Sequence, residues 1–204
     1  MLDLQPPADQ VVTLLRGVQD DHLDDPTPCP GTSVANLLAH LLGLSIAFRD
    51  AARKIDGPTT STPPDASQAE LPDDWRTLLP RHLDELVAAW REPAAWEGHT
   101  QAGGVPLPGA VAGEVANNEL LLHGWDLAVA TAQPFAAAED NLQSSWEMVS
   151  NTPDTPEARD GLFGPVVTVN ADASLLDRTL GHAGRDPRWS SEGQREESTQ
   201  RMAH

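Results

Sequence analysis

The chain has 204 residues, a formal net charge of −18, 18 prolines, 15 glycines and one cysteine. This length suits one domain with a sizeable core, and the prolines and glycines predict long connections. The negative charge argues against a nucleic-acid or anionic-membrane partner, and a single cysteine excludes an intramolecular disulfide framework. With no signal peptide and no apolar run of the roughly 18 residues that a membrane span needs, we expect a cytoplasmic protein.

Apolar residues at helical spacing predict six helices, over about 7–23, 34–55, 75–90, 110–131, 138–149 and 175–182. Ser33 is expected to cap the second helix, and Pro80 predicts either a kink in the third helix or a start at the proline itself. Because no segment alternates convincingly, we predict no β-hairpin. The fold class is therefore mainly all-α, a helical bundle with a short extended accessory segment at 163–169.

The connections are expected to be irregular. Residues 57–74 are polar and proline-rich, which predicts an exposed linker inside the domain, and residues 92–108 form a loop rich in glycine and proline. From Asp186 onward the composition is typical of a disordered tail. We therefore predict one domain over 1–185, followed by a tail over 186–204.

Glu119 and His123 are the first candidates for a functional site. They are four residues apart in the helix predicted over 110–131, so they stand one turn apart on the same face. Neighbouring leucines turn this part of the helix toward the core, and a buried carboxylate is usually paired with a cation or a metal. The spacing alone favours a plain Glu–His pair, because such pairs are common and a metal needs at least one more ligand.

His40 is the candidate third ligand, because it lies within an apolar stretch in the middle of the second helix. Two imidazoles and one carboxylate form a common zinc set that leaves a fourth position for water or a substrate thiol. Nickel, iron or manganese would also suit these ligands. Asp126 follows His123 by three residues, and three roles stay open for it: orienting an imidazole N–H, acting as an alternative ligand, or being a helix-surface acid.

Other chemistries fit the sequence less well. A carboxylate-bridged di-iron bundle needs a second Glu/His motif, which is lacking, and no nucleophile elbow marks a Ser/His/Asp triad. Cys29 lies between two prolines with no positive neighbour in the sequence, so we do not predict it as a nucleophile. The sequence names no catalytic residue.

Three segments carry a resemblance to a known family: residues 27–31 (TPCPG) with His40 nine residues later, residues 119–128 (ELLLHGWDLA), and residues 163–187. On them the chain resembles the DinB-like metal-binding superfamily. More narrowly, it is similar to the actinobacterial group related to the mycothiol-dependent maleylpyruvate isomerase, through its N-terminal metal-binding domain. One departure is Thr32, where the family usually has an aromatic residue, and the isomerase's separate C-terminal domain is not evident.

The resemblance implies a four-helix bundle of up-down-down-up connectivity, with a metal on His40, Glu119 and His123 and a thiol such as mycothiol at the fourth position. We therefore expect a divalent-metal protein, with zinc as the first choice, that acts as a thiol-dependent transferase or isomerase on a small electrophile. The alternative is a non-catalytic metal-binding or stress-response protein of the same type. A third hypothesis is a bundle without metal, and a homodimer is left open.

Overall fold

The computed structural model describes residues 1–62 and 70–191, and these residues are mostly helical. The helices are α1 (Gln5–Leu15), α2 (Val34–Ala52), α3 (Pro58–Ser61), α4 (Trp75–Trp90), α5 (Pro93–Trp96), α6 (Gly109–Ala130), α7 (Glu139–Asn151), α8 (Pro156–Arg159) and α9 (Leu175–His182). A 3-10 turn spans Asp20–His22, and the strands β1 (His99–Ala102) and β2 (Val105–Pro108) form a small sheet.

Four of the longer helices form the framework of the molecule. Helices α1 and α2 each pack against both α4 and α6, so the four helices enclose one core. Leu38 and Leu41 of α2, Leu83 of α4 and Leu127 of α6 are fully buried in it, and each contributes about 2 kcal/mol through burial of its side chain. The predicted mainly all-α fold with a short accessory segment is confirmed.

Helix α2 is the most apolar of these elements. As predicted, the Ser33 hydroxyl caps it by accepting a hydrogen bond from the backbone N–H of Asn36. By length and composition α2 is apolar enough to cross a membrane, so the expectation that no stretch reaches this limit is wrong. However, 61% of its most apolar window is buried inside the fold, and a buried core helix meets the same criterion.

The structure changes the predicted end of α1 and decides between the two alternatives for α4. Helix α1 ends at Leu15, well before the predicted end near residue 23. The end is held by the Gln133 side chain, whose amide donates to the carbonyl of Leu14 (3.0 Å) and occupies the space beside Gly17. Helix α4 runs from Trp75 through Pro80, so the alternative of a later start at the proline is wrong.

The loop predicted over 92–108 contains regular structure. Helix α5 is followed by an antiparallel pairing of β1 with β2, so the prediction of no hairpin is wrong. Gly103 and Gly104 connect the strands with φ of +56° and +80°, which suits a two-residue hairpin turn. Pro106 and Pro108 lie in β2 and lack the N–H that a strand normally offers, which conceals the pattern in the sequence.

Part of the predicted linker is packed rather than exposed. Residues 58–61 form helix α3, and Thr60 is fully buried, donating to the Ile55 carbonyl (3.0 Å). The Thr60 carbonyl accepts from Gly104 at the tip of the hairpin (2.8 Å). Thr60 is therefore packed into the fold, while Pro58, Thr59, Ser61 and Thr62 are exposed, and residues 63–69 lie outside the described ranges.

The chain after α7, here called the C-terminal segment (residues 152–191), packs on the outside of α6 and α7. A second apolar cluster joins α6, α7 and α9 and includes Trp125, Val149 and Leu180. The predicted extended stretch at 163–169 runs beside α9, where Val167 donates to the Gly181 carbonyl (2.9 Å). Trp189, which lies beyond the boundary predicted at 185, packs against both clusters. Of the tail predicted over 186–204, residues 192–204 lie outside the described residues.

Candidate metal centre

Helices α2 and α6 bring the three predicted ligands together. Nε2 of His123 lies 3.1 Å from Oε2 of Glu119, and the rings of His40 and His123 meet edge to face with centroids 5.0 Å apart. One potential ligand atom from each of His40, Glu119 and His123 lies within 4.8 Å of the other two. Their chemistry and convergence fit a divalent metal, and their role as ligands stays a prediction.

Asp126 lies on the opposite side of the His123 ring from Glu119. Its side chain is fully buried, which removes the interpretation as a helix-surface acid, and its Oδ2 is 3.0 Å from Nδ1 of His123. Because an ionised carboxylate only accepts hydrogen bonds, the imidazole donates from Nδ1 and turns Nε2 toward Glu119. Arg185 donates to both oxygens of Asp126, from Nε at 3.1 Å and from Nη2 at 2.9 Å.

Cys29 belongs to the same cluster, which the sequence did not indicate. Its thiol donates to Oδ2 of Asp126 (3.2 Å), and its Sγ lies 4.0 Å from Nδ1 of His123. The expectation that Cys29 has no positive neighbour is wrong, because Nη2 of Arg185 is 3.8 Å from Sγ. Cys29, His123 and Asp126 form a second group with metal-ligand geometry, but the charge of Arg185 beside Asp126 opposes a cation there.

The electrostatics of the centre favour ionised carboxylates. Burial opposes the charge of Asp126, but the charge of Arg185 and hydrogen bonds from His123 and Arg185 hold the pKa of Asp126 well below its usual range. Burial alone would lower the pKa of His123, but hydrogen bonds with Asp126, Cys29 and Glu119 raise it well above its usual value. A metal at Nε2 of His123 would therefore displace a proton.

Glu119 follows the same logic. Burial favours its neutral form, yet the hydrogen bond with His123 and the positive charges of His123, His40 and Arg185 lower the pKa of Glu119. The Glu119 side chain is 27% exposed, while the Asp126 side chain is fully buried. Glu119 is therefore an anionic side chain at the margin of the core, where a cation can reach it.

A cleft of about 600 Å³ opens beside His123. Its other lining residues come from three loops that meet over the centre: Pro28, Cys29, Pro30, Thr32, Gly161, Leu162, Phe163, Gly164, Pro165, Ala183, Gly184 and Arg185. Thr32 lies in this wall. The cleft leaves room for a small molecule next to the predicted metal position.

The C-terminal wall of the cleft is held by a buried arginine and two close glycines. The Arg159 guanidinium donates to the carbonyls of Gly164 (2.7 Å) and His182. Gly184 has φ of +81°, and a Cβ atom there would lie 2.7 Å from Cα of Gly164. This backbone contact brings Arg185, the next residue, against Asp126. Sequence reasoning missed Arg185, which is 59 residues from its partner.

Known proteins include relatives of this chain. Two uncharacterized proteins from two strains of Mycobacterium tuberculosis are each 31% identical over 129 residues, which is 61% of this chain. The match spans 63% of each relative, less than two thirds of their length.

Two crystal structures of the mycothiol-dependent maleylpyruvate isomerase, one of them a mutant, share the fold. The mutant has a TM-score of 0.57 at 18% identity, covering 76% of this chain and 75% of that one. The other has a TM-score of 0.55 at 19% identity, covering 72% and 66%. At these identities the likeness shows the fold alone.

The family described as the mycothiol maleylpyruvate isomerase N-terminal domain matches residues 4–128. This match covers more than half of the chain, including His40, Glu119, His123 and Asp126, and ends before Arg185. The chain belongs to the family of the mycothiol maleylpyruvate isomerase N-terminal domain.

Proposed function

We propose that this protein binds a divalent metal, zinc first, on His40, Glu119 and His123, and that it uses a low-molecular-weight thiol such as mycothiol on a small electrophile. The observation that supports the proposal is the convergence of three ligand atoms within 4.8 Å beside an open cleft. Two imidazoles, one carboxylate and an open position are the ligand set of many catalytic zinc sites. The family supplies the choice of thiol.

When bound, the metal would supply Lewis acidity that lowers the pKa of a thiol. The residues prepare this chemistry in separate ways. Asp126 accepts the Nδ1–H of His123 (3.0 Å), which leaves Nε2 for the metal. The cleft admits the thiol and the electrophile beside His123. In a transfer to a haloaromatic electrophile, the sulfur forms a carbon–sulfur bond, the halide leaves, and the thiol proton goes to solvent.

The first step is tested by the metal content of protein purified without added metal. We expect about one metal ion per chain in the unmodified protein and little in His40→Ala or His123→Ala, because each change leaves only two of three ligands. The control is His82→Ala, since His82 lies on α4 and pairs with Glu85 at 3.4 Å. Equal metal in all four proteins would contradict the proposal.

The second step is tested by following mycothiol and chlorodinitrobenzene with metal-loaded protein. Consumption of both reactants by the unmodified protein, and not by His123→Ala, supports a thiol transferase. Isomerisation is tested separately with maleylpyruvate, the substrate in the name of the structural relatives.

The alternative is a non-catalytic metal-binding or stress-response protein. A closed site with Asp126 as a fourth ligand would favour it, whereas Asp126 lies behind His123 and is held at both oxygens by Arg185. This arrangement and the cleft favour the enzyme. Metal binding without thiol consumption would favour the alternative.

We place the protein in the cytoplasm, where small thiols are kept reduced. We also infer that its domain extends at least to Ser191, since Ser191 is buried and Trp189 packs against both apolar clusters. The working partners are therefore a small thiol and a small electrophile, without nucleic acid or membrane. Sedimentation velocity decides between a monomer and a homodimer.

A further inference from the structure

Arg185 reaches the centre from outside the part of the chain that matches the family. It follows α9, and its guanidinium spans both oxygens of Asp126 at 3.1 and 2.9 Å. Only 11% of the Arg185 side chain is exposed, and Asp126 has no exposure. Two parallel charge-assisted hydrogen bonds of this kind fix both distance and orientation.

The hydrogen bonds continue from Asp126 to the predicted ligand His123. The oxygen that accepts from Nη2 of Arg185 also lies 3.0 Å from Nδ1 of His123. The Cys29 thiol donates to the same oxygen at 3.2 Å. A carboxylate anchored at both oxygens cannot rotate away, so it holds the imidazole in one orientation and one tautomer.

The position of Arg185 depends in turn on the C-terminal segment. Gly184, directly before Arg185, is positioned by its backbone contact with Gly164. In addition, Nη1 of Arg185 donates to the Ala183 carbonyl (2.9 Å). The bidentate contact with Asp126 is therefore built by the docked C-terminal segment and not by α6 alone.

We propose that Arg185 is a positioning residue of the metal centre, which acts through Asp126 to fix the orientation of His123. The inference rests on the proposed function, because it needs a metal on His40, Glu119 and His123. It extends that function by making the C-terminal segment part of the centre. Arg185 itself touches none of the three ligand atoms that face the metal.

The test measures Co²⁺ binding to the metal-stripped full chain and the visible spectrum of the cobalt-loaded protein. We expect Arg185→Gln to weaken affinity about 10- to 100-fold and to alter the spectrum, as loss of a partner that orients a ligand usually does. Arg185→Lys keeps the positive charge but loses the planar guanidinium group, so its cobalt affinity should lie between those of the unmodified protein and Arg185→Gln. The control is Arg188→Gln, since Arg188 is 89% exposed and pairs with Asp186.

A merely structural role would lower the melting temperature and leave the cobalt spectrum of the folded protein unchanged. If Arg185→Gln folds and binds cobalt with unchanged affinity and spectrum, the inference is overturned. If Arg185→Gln does not fold, Arg185→Lys is measured instead. A cobalt affinity and spectrum of Arg185→Lys equal to those of the unmodified protein would then overturn the inference. If the unmodified protein binds no metal, the proposed function fails together with this inference. If the unmodified protein binds cobalt and the Arg185 variants bind it equally well with the same spectrum, only this inference fails.

Discussion

Asp126 is the residue on which the electrostatics of the centre depend. Burial opposes its charge, but Arg185 and His123 more than compensate and hold the pKa of Asp126 well below its usual range. In the unfolded chain its pKa returns to about 4. Because the folded value is the lower one, the ionised carboxylate stabilises the fold above about pH 4, and this stabilisation is lost as the pH falls through the folded value.

Asp126→Asn should therefore reduce both the stability and its dependence on acid. We expect the free energy of unfolding at pH 7 to fall by about 3 kcal/mol, because Arg185 is left buried without its counter-charge. Urea unfolding of metal-stripped protein between pH 7 and pH 3 measures both effects. The control is Asp186→Asn, because the ion pair of Asp186 with Arg188 lies at the surface and should contribute little. The same pH dependence in the unmodified protein and Asp126→Asn would contradict the assignment.

Single residues differ in how far the sequence could predict them. Glu119 and His123 are one helical turn apart, and His40 lies in an apolar stretch, so local spacing was enough to select all three. The contacts of Arg185 with Asp126 and Cys29 span 59 and 156 residues, and no local pattern indicates such a pair. Because Arg185 is 156 residues from Cys29, the sequence indicated no positive neighbour for this cysteine.

The elements show a similar division. Ser33 and Ser174 each cap the helix that follows, because the hydroxyl accepts a hydrogen bond from the N–H three residues later. Serine is among the residues preferred at this position, and the cap at Ser33 was predicted. The hairpin of β1 and β2 was not predicted, although a two-residue Gly-Gly loop between short strands is a hairpin signal. Pro106 and Pro108 make the sequence of β2 untypical of a strand, yet β2 still pairs with β1 in the structure.

The contact between Gly164 and Gly184 gives a prediction for the C-terminal wall. Gly184→Ala should cost about 2–4 kcal/mol, because the side chain meets the Gly164 backbone as well as the unfavourable φ of +81°. Gly161→Ala is the matched control, since Gly161 has φ of +70° and an added Cβ would meet no atom of the described residues within 4 Å. This control should cost about 1 kcal/mol. Urea unfolding compares the two variants, and equal losses would contradict the close approach.

At the scale of the whole molecule, the framework helices and the C-terminal segment meet at one cluster. Helix α2 contributes His40, α6 contributes Glu119, His123 and Asp126, and the segment contributes Arg185. A metal that needs these groups in one arrangement favours the fold in which the segment is docked, and docking favours metal binding by the same free energy. The predicted metal should therefore stabilise the molecule well beyond the two helices that hold it.

Metal removal tests this coupling. At a free zinc concentration 1,000 times the dissociation constant, binding contributes about 4 kcal/mol, which for a chain of this length corresponds to about 10 °C in melting temperature. We expect chelation to remove that increment from the unmodified protein, and excess zinc to restore it. The double variant His40→Ala/His123→Ala should show no response to either treatment. An unchanged melting temperature in the unmodified protein would mean that Glu119 and His123, 3.1 Å apart, only pair with each other.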